Sequence, residues 1–312
     1  MTKLFRFTFK RAILSIPFLL AAVIAFGAGA YETLGYMGNY VDWKVEDTQL
    51  FSDPTSAVIL AFVIAVLPAM LTGREFSSGT VRSKLITGTT KTQFFMTHLL
   101  VNSIVTVIVT LLYFLPTLIS CPKYYNMFKP YMVIFAIACT ALGYILISTI
   151  STVITVMNNK IIISIVAAAA VLFCVVLADN WLSHNLIQPK TIGSYETTTF
   201  RDEHGTFTDS VWVDEETNPF YISSKTERNL MWLGRKLMPL TVIENGTAVL
   251  SGHLTSIDKV RSTRQEAEQH ADEEPVIFER NMTLFRAPIY TLCEIAAAAA
   301  LGIFLFKKRN IR

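Results

Sequence analysis

Six apolar stretches, each near the length a helix needs to span a bilayer, dictate what this 312-residue chain can become. A hydrocarbon core of about 30 Å takes about 20 helical residues. Runs of that kind lie at Ala12–Tyr31, Ser56–Thr72, Phe94–Ser120, Tyr131–Met157, Ile161–Ala178 and Ala287–Phe306. With 52% hydrophobic residues the chain carries more apolar surface than a soluble core of this size needs, and the excess sits in these blocks. The expected class is an α-helical polytopic membrane protein with six transmembrane helices. Pro68 near one end of the second block leaves its boundary open.

Charge orders the loops. Lys3, Arg6, Lys10 and Arg11 precede the first block, and Arg74, Arg82, Lys84 and Lys91 follow the second. Lys160 follows the fourth, and Lys307, Lys308, Arg309 and Arg312 follow the sixth; these thirteen cations meet one carboxylate, Glu75. The alternate loops are acidic: Glu32–Asp53 nets −4, and Asp179–Arg286 holds 17 acids against 11 bases. By the positive-inside rule both termini are cytoplasmic in a multi-pass arrangement. Only the turn Cys121–Pro130, with Lys123 and Lys129, runs against it. The basic start followed by Ala28-Gly29-Ala30 also matches a signal peptide with its cleavage site, although the run is long for that; the retained-helix reading is the one carried forward. Phe5, Phe9 and Ile13 at spacing four suit either a helix in the membrane interface or a basic flank that only sets orientation.

Domain organisation follows. Residues 1–178 hold helices 1–5 and a cytoplasmic connector at about 74–92, residues 179–286 an extracellular domain, and residues 287–312 helix 6 with a cytoplasmic tail. In the outer region Ser194–Arg201 and Thr206–Val213 alternate as a β-hairpin. Ser224 and Glu227 form a candidate capping box before a helix bearing Leu230, Leu233 and Leu237. Ser256–Glu274 reads as a solvated helix, completing a small α+β insertion between helices 5 and 6. All four cysteines (Cys121, Cys139, Cys174, Cys293) fall in or beside apolar blocks, so the outer region has no disulfide, which suits a bacterial surface better than a disulfide-stapled receptor.

Several chemistries are missing. The chain has no phosphate loop, no His-Glu-x-x-His zinc helix and no Gly-x-Ser-x-Gly elbow. His184, His204, His253 and His270 sit at irregular spacings beside acids; they read as solvated surface histidines, with a metal site as the alternative. No catalytic, cofactor or metal site and no nucleic-acid partner is expected. Glu294 stands inside the sixth block; a carboxylate there faces protein or water and either lines a pathway or makes a structural hydrogen bond. The alanine run Ala296–Ala300 beside it suits close helix packing.

The connector GREFSSGTVRSKLITGTTKTQFF, Gly73–Phe95, holds four cations among Gly, Ser and Thr. Gly79 and Gly88 bracket a short helix that Thr80 is placed to cap, with Val81, Leu85 and Gly88 on one face. It is either a rigid prong or a cationic loop that only obeys the orientation rule. The run resembles the signature of bacterial ATP-binding-cassette (ABC) transporter permeases of the type-2 exporter family, in Glu75, Gly79-Thr80, Arg82, Lys84-Leu85-Ile86 and Gly88; Thr90-Lys91 stands where members often have Ser-Arg. Asn218-Pro219 and Tyr221, then a helix ending in Leu237-Met238-Pro239, resemble the segment before the last helix of such permeases, with Pro239-Leu240-Thr241 replacing the usual Pro-Thr-Gly.

The resemblance implies a non-catalytic subunit. Two six-helix permeases, identical or related, would enclose a pathway in the bacterial cell membrane, each served by a separate cytoplasmic ABC ATPase that binds the ATP and Mg. The connector would be the coupling helix docked in that ATPase, with Arg74, Glu75, Gly79, Thr80, Arg82, Lys84, Leu85, Ile86 and Gly88 as the coupling residues. Relatives of similar architecture export antimicrobial peptides, lipids, hydrophobic drugs and ions. The competing reading is a non-transporting membrane sensor or immunity protein that captures an extracellular peptide through its outer domain. A membrane-embedded hydrolase lacks a nucleophile–base pair.

Overall fold

A computed structural model describes residues 2–39, 55–120, 130–158, 160–188, 191–202, 205–250 and 276–309. The turn at 121–129, the expected helix Ser256–Glu274, and His204, His253 and His270 lie outside the described residues. The chain divides into two units, Met1–Val176 with Lys236–Arg312, and Leu177–Arg235.

Among the described residues, six helices are long and apolar enough to cross a membrane, with spans Ile16–Leu34, Ser56–Ser77, Lys91–Ile119, Val133–Met157, Ile161–Leu186 and Pro288–Lys308. The first helix, α1 (Thr2–Ile13), is separate from α2 (Ile16–Asn39). Sequence reading runs the apolar block from Ala12 without a break. Ser15 makes the break: its hydroxyl donates to the Ala12 carbonyl at 2.6 Å and accepts the Phe18 amide at 3.4 Å, ending one helix and capping the next. Pro17 falls in the first turn of α2, where a missing amide is tolerated. On α1, Phe5 and Phe9 stack at 5.8 Å and pack with Ile13 on the bundle, while Lys3, Arg6, Lys10 and Arg11 stay exposed. A basic helix laid against the other helices is thus the form the N-terminus takes.

α3 (Thr55–Ser77), α5 (Lys91–Ser120) and α6 (Pro130–Met157) form the buried centre around Leu60, Ile64, Val105, Tyr113 and Tyr144. α3 passes straight through Pro68, and Ser151 of α6 donates to the neighbouring Ala65 carbonyl. Such help from an adjacent helix is how proline is accommodated where no water reaches. Two tyrosines in this core are also paired across helices: Tyr144 donates to the Ala57 carbonyl at 3.0 Å, and Tyr113 donates to Glu32 at 2.7 Å beside the Ser56 hydroxyl at 2.9 Å. α2, α7 (Ile161–Ile187) and α10 (Val276–Lys308) present broad apolar faces outward, including Val23, Val166, Phe173, Leu301 and Phe304. The Ala296–Ala300 run belongs to this outer face, with only Ala299 packed on the interior.

A short helix, α9 (Pro239–Leu250), starts on Pro239 and lies along α6 with Val242 and Ile243 buried. Gly246 permits this: a Cβ there would stand 2.8 Å from the Ala136 carbonyl oxygen. This stretch between the fifth and sixth spans therefore packs within the helical bundle.

In the unit Leu177–Arg235, β1 (Thr191–Asp202) and β2 (Gly205–Thr217) pair antiparallel, with Phe200 opposite Phe207 and Tyr195 opposite Trp212. Asn218 accepts the Phe220 amide at 2.9 Å and donates to Gln188 at 3.1 Å, fixing the turn at Pro219. α8 (Lys225–Lys236) follows, its Glu227 amide reaching the Ser224 hydroxyl at 3.5 Å, as the capping-box spacing predicts. Leu230 and Leu233 of α8 are exposed, so their shared face has no cover among the described residues.

Candidate functional site

The connector between the second and third spans is shorter than sequence reading places it. α3 runs five residues past Thr72, so Gly73, Arg74 and Glu75 belong to its last turns rather than to a loop. The connector proper begins at Ser78. Gly79 adopts φ 71°, a left-handed conformation open to glycine at little cost, and reverses the chain into α4 (Thr80–Ile86). Thr80 does not cap α4, contrary to the sequence reading. Gly79 occupies the cap position, and the Thr80 hydroxyl donates backward to the Glu75 carbonyl at 3.0 Å, closing the end of α3. Ser78 helps, donating to the same carbonyl at 3.3 Å.

α4 ends as locally as it starts. The amides of Thr87, Gly88 and Thr89 donate to the carbonyls of Ser83, Leu85 and Lys84, and Gly88 at φ 95° turns the chain back. Thr90 and Gln93 then form a reciprocal capping box, each amide donating to the other side chain at 3.2 Å, which opens α5. Every residue from Ser78 to Gln93 thus sits in a defined turn, cap or helix. The connector is a rigid element.

Its two faces differ. Val81 is buried and Leu85 partly buried in a cluster with Phe76, Phe94, Phe95 and Phe306, which joins the ends of α3, α5 and α10. Lys84 also turns inward: its Nζ lies 2.6 Å from Glu75 Oε2 and 5.6 Å from the centre of the Phe94 ring. Lys84 and Leu85, both among the coupling residues the resemblance implies, are engaged within this chain. The outward face is left to Arg82, Ser83, Ile86 and Thr87, with Ile86 76% exposed. Arg74 is exposed beside it.

Glu75 is the hub. It is 2% exposed, and besides Lys84 it meets His98 Nε2 at 3.2 Å and Arg11 at 3.5 Å. The carboxylate therefore ties α4, α5 and α1 to the end of α3. His98 continues inward through Thr72 at 3.3 Å, and Asn102 donates to Thr72 at 3.1 Å and to Thr152 of α6 at 2.9 Å. On the opposite side of the cluster, Lys91 donates to the carbonyls of Lys307 and Arg309, holding the end of α10. Arg309 donates to the Val156 carbonyl and stacks over Phe76 at 5.4 Å. A force on α4 would reach α1, α3, α5, α6 and α10 through these contacts.

His98, Arg11, Asn102 and Thr72 escape a motif-based reading. Each is a lone polar residue in or beside an apolar block. The spacing does carry a signal, because His98, Asn102, Thr106 and Thr110 recur every four residues and fall on one buried helical face. Glu294 is partly buried on α10, away from this cluster in sequence, and makes no ion pair or hydrogen bond among the described residues. His184 is exposed near the end of α7 and contacts only Gln188 among the described residues.

Fold and site together define an α-helical multi-pass membrane protein with a rigid, anchored connector between its second and third spans. Comparison with family models, characterised proteins and solved structures found no match for the chain.

Proposed function

We propose that this chain is the membrane-spanning, non-catalytic subunit of an ATP-driven exporter, an ABC permease of the type its connector resembles. α4 is its coupling helix. The observation that carries the reading is the two-sidedness of α4: Val81, Lys84 and Leu85 lock it to the bundle, while Arg82, Ser83 and Ile86 stay open. A connector needed only for orientation requires cations but no such anchoring. A helix that must receive a push from a partner and deliver it to the spans requires both faces.

In this reading both termini and α4 face the cytoplasm of a bacterial cell, and the unit Leu177–Arg235 lies outside as an α+β insertion. A separate ABC ATPase binds ATP and Mg and receives the Arg82–Ile86 face, where a cation steers docking and an exposed aliphatic side chain anchors it. A second permease, identical or related, covers part of the outward apolar surface of α2, α7 or α10, and lipid covers the rest. Glu294 contributes to the pathway between the two permeases.

The test is recovery of an ATPase with the affinity-tagged chain from mild detergent. Wild-type chain should bring down an ATP-hydrolysing subunit. Arg82→Glu and Ile86→Asp should lose it while the chain itself stays abundant in the membrane. Recovery of no ATPase by wild-type chain would leave the peptide-capturing sensor as the better account.

A further inference from the structure

Beside the Glu75 hub, α1, the start of α2, the end of α3 and the start of α5 enclose a cavity of about 340 Å³. That volume is at the lower end of the range for small-molecule sites, about 300–1,000 Å³. One of its lining residues is nearly fully buried with an unused donor: Thr8 is 5% exposed and its Oγ1 has no hydrogen-bond partner. Buried polar atoms of this kind are rare and costly unless something else completes them.

The charges around the cavity specify what that is. Arg11 and Arg74 line it and are both exposed enough to turn toward a ligand. Glu75 lines it too, but its two oxygens are already engaged, Oε1 by Arg11 and Oε2 by Lys84 and His98. The first turn of α2, a 24-residue helix, also borders the cavity through Ser15 and Pro17, and a helix N-terminus favours an anion. Two arginines, Arg11 and Arg74, against the single carboxylate Glu75 leave the lining net positive.

We infer that this cavity binds a phosphate-bearing anion, with Arg74 and Arg11 as the cationic partners and Thr8 donating its hydroxyl. The source that fits the setting is an anionic phospholipid headgroup of the leaflet along which α1 lies; free inorganic phosphate shares the same chemistry. Occupancy would tie α1 to the ends of α3 and α5 at the point where Glu75 joins α4, and would do so whether or not the chain transports anything.

The experiment is calorimetric titration of the purified full-length chain in neutral detergent with three probes: dihexanoyl phosphatidylglycerol, dihexanoyl phosphatidylcholine and inorganic phosphate. Saturable 1:1 binding of phosphatidylglycerol is expected, with phosphatidylcholine weaker. Removing one charge-assisted contact by Arg74→Gln should weaken it about tenfold. Thr8→Val, which keeps the shape and cannot disturb a hydrogen bond Thr8 does not make, should also weaken it without lowering the thermal midpoint. Phosphatidylglycerol binding tighter than phosphate identifies the lipid as the source; equal affinities identify the free anion. Absence of saturable binding by either, or affinity unchanged in both variants, overturns the inference.

Discussion

Lys84→Met removes the closest partner of a carboxylate that is only 2% exposed. In the structure Lys84 Nζ is 2.6 Å from Glu75 Oε2, with the two side chains 17% and 3% exposed. Removing one partner of a buried pair commonly costs about 3–5 kcal/mol, mostly because the other charge is left buried. Arg11 and His98 still touch Glu75, which places the expected cost near the bottom of that range, at about 3 kcal/mol. The same reasoning makes a less intuitive demand on the double variant. Glu75→Leu with Lys84→Met leaves no orphan, since Arg11 can reach solvent and His98 keeps Thr72. It should therefore be more stable than Lys84→Met alone, with a coupling of roughly 1–3 kcal/mol between the positions. Unfolding of the purified chain in mixed micelles, followed by circular dichroism, measures Lys84→Met, Glu75→Leu and the double variant against wild type. Simple additivity, or a Lys84→Met cost under about 0.5 kcal/mol, would refute the reasoning and return Lys84 to the surface charges.

Three further outcomes follow from single positions. A Cβ at Gly29 would overlap the Tyr113 carbonyl whereas one at Gly27 meets nothing within 4 Å. Gly29→Ala should separate α2 from α5 and lower the unfolding midpoint, and Gly27→Ala should be neutral or stabilise by about 0.5–1 kcal/mol. At Gly79, also free of neighbours within 4 Å, the cost of substitution is backbone alone; Gly79→Val should lose about 1–2 kcal/mol and Gly79→Asn clearly less, as its midpoint will report. Glu294→Gln breaks no described ion pair, so abundance and unfolding should match wild type within about 0.5 kcal/mol. Transport in cells should fall in the same variant, and full transport would remove Glu294 from the pathway.

Legibility in the sequence followed the length of the signal. Apolar blocks of transmembrane length mark the six spans plainly, and the capping residues Ser224 and Gly79 are where local chemistry puts helix boundaries. Errors arose where a tertiary partner decides. The end of α3 past Thr72 is held by Glu75, which pairs with Arg11 of α1 and His98 of α5, partners that no window along α3 contains. Lys84 looks like any connector cation until a carboxylate nine residues earlier is found buried beside it. Thr80 stands at a capping position by spacing, yet its hydroxyl serves the preceding helix. α9 is too short and too polar to resemble a span, and only its fit along α6, made by Gly246, reveals where it packs.

The central claim is that the outer face of α4 meets a cytoplasmic ATPase, and a photo-crosslinking amino acid at position 86 tests it most directly. Ile86 is 76% exposed while Val81, on the same short helix, is 2% exposed. Irradiation of intact cells carrying the probe at 86 should give one dominant adduct with an ATP-binding subunit, and the probe at Val81 should give none. Failure of position 86 to form such an adduct, with the chain abundant and correctly inserted, would contradict the account.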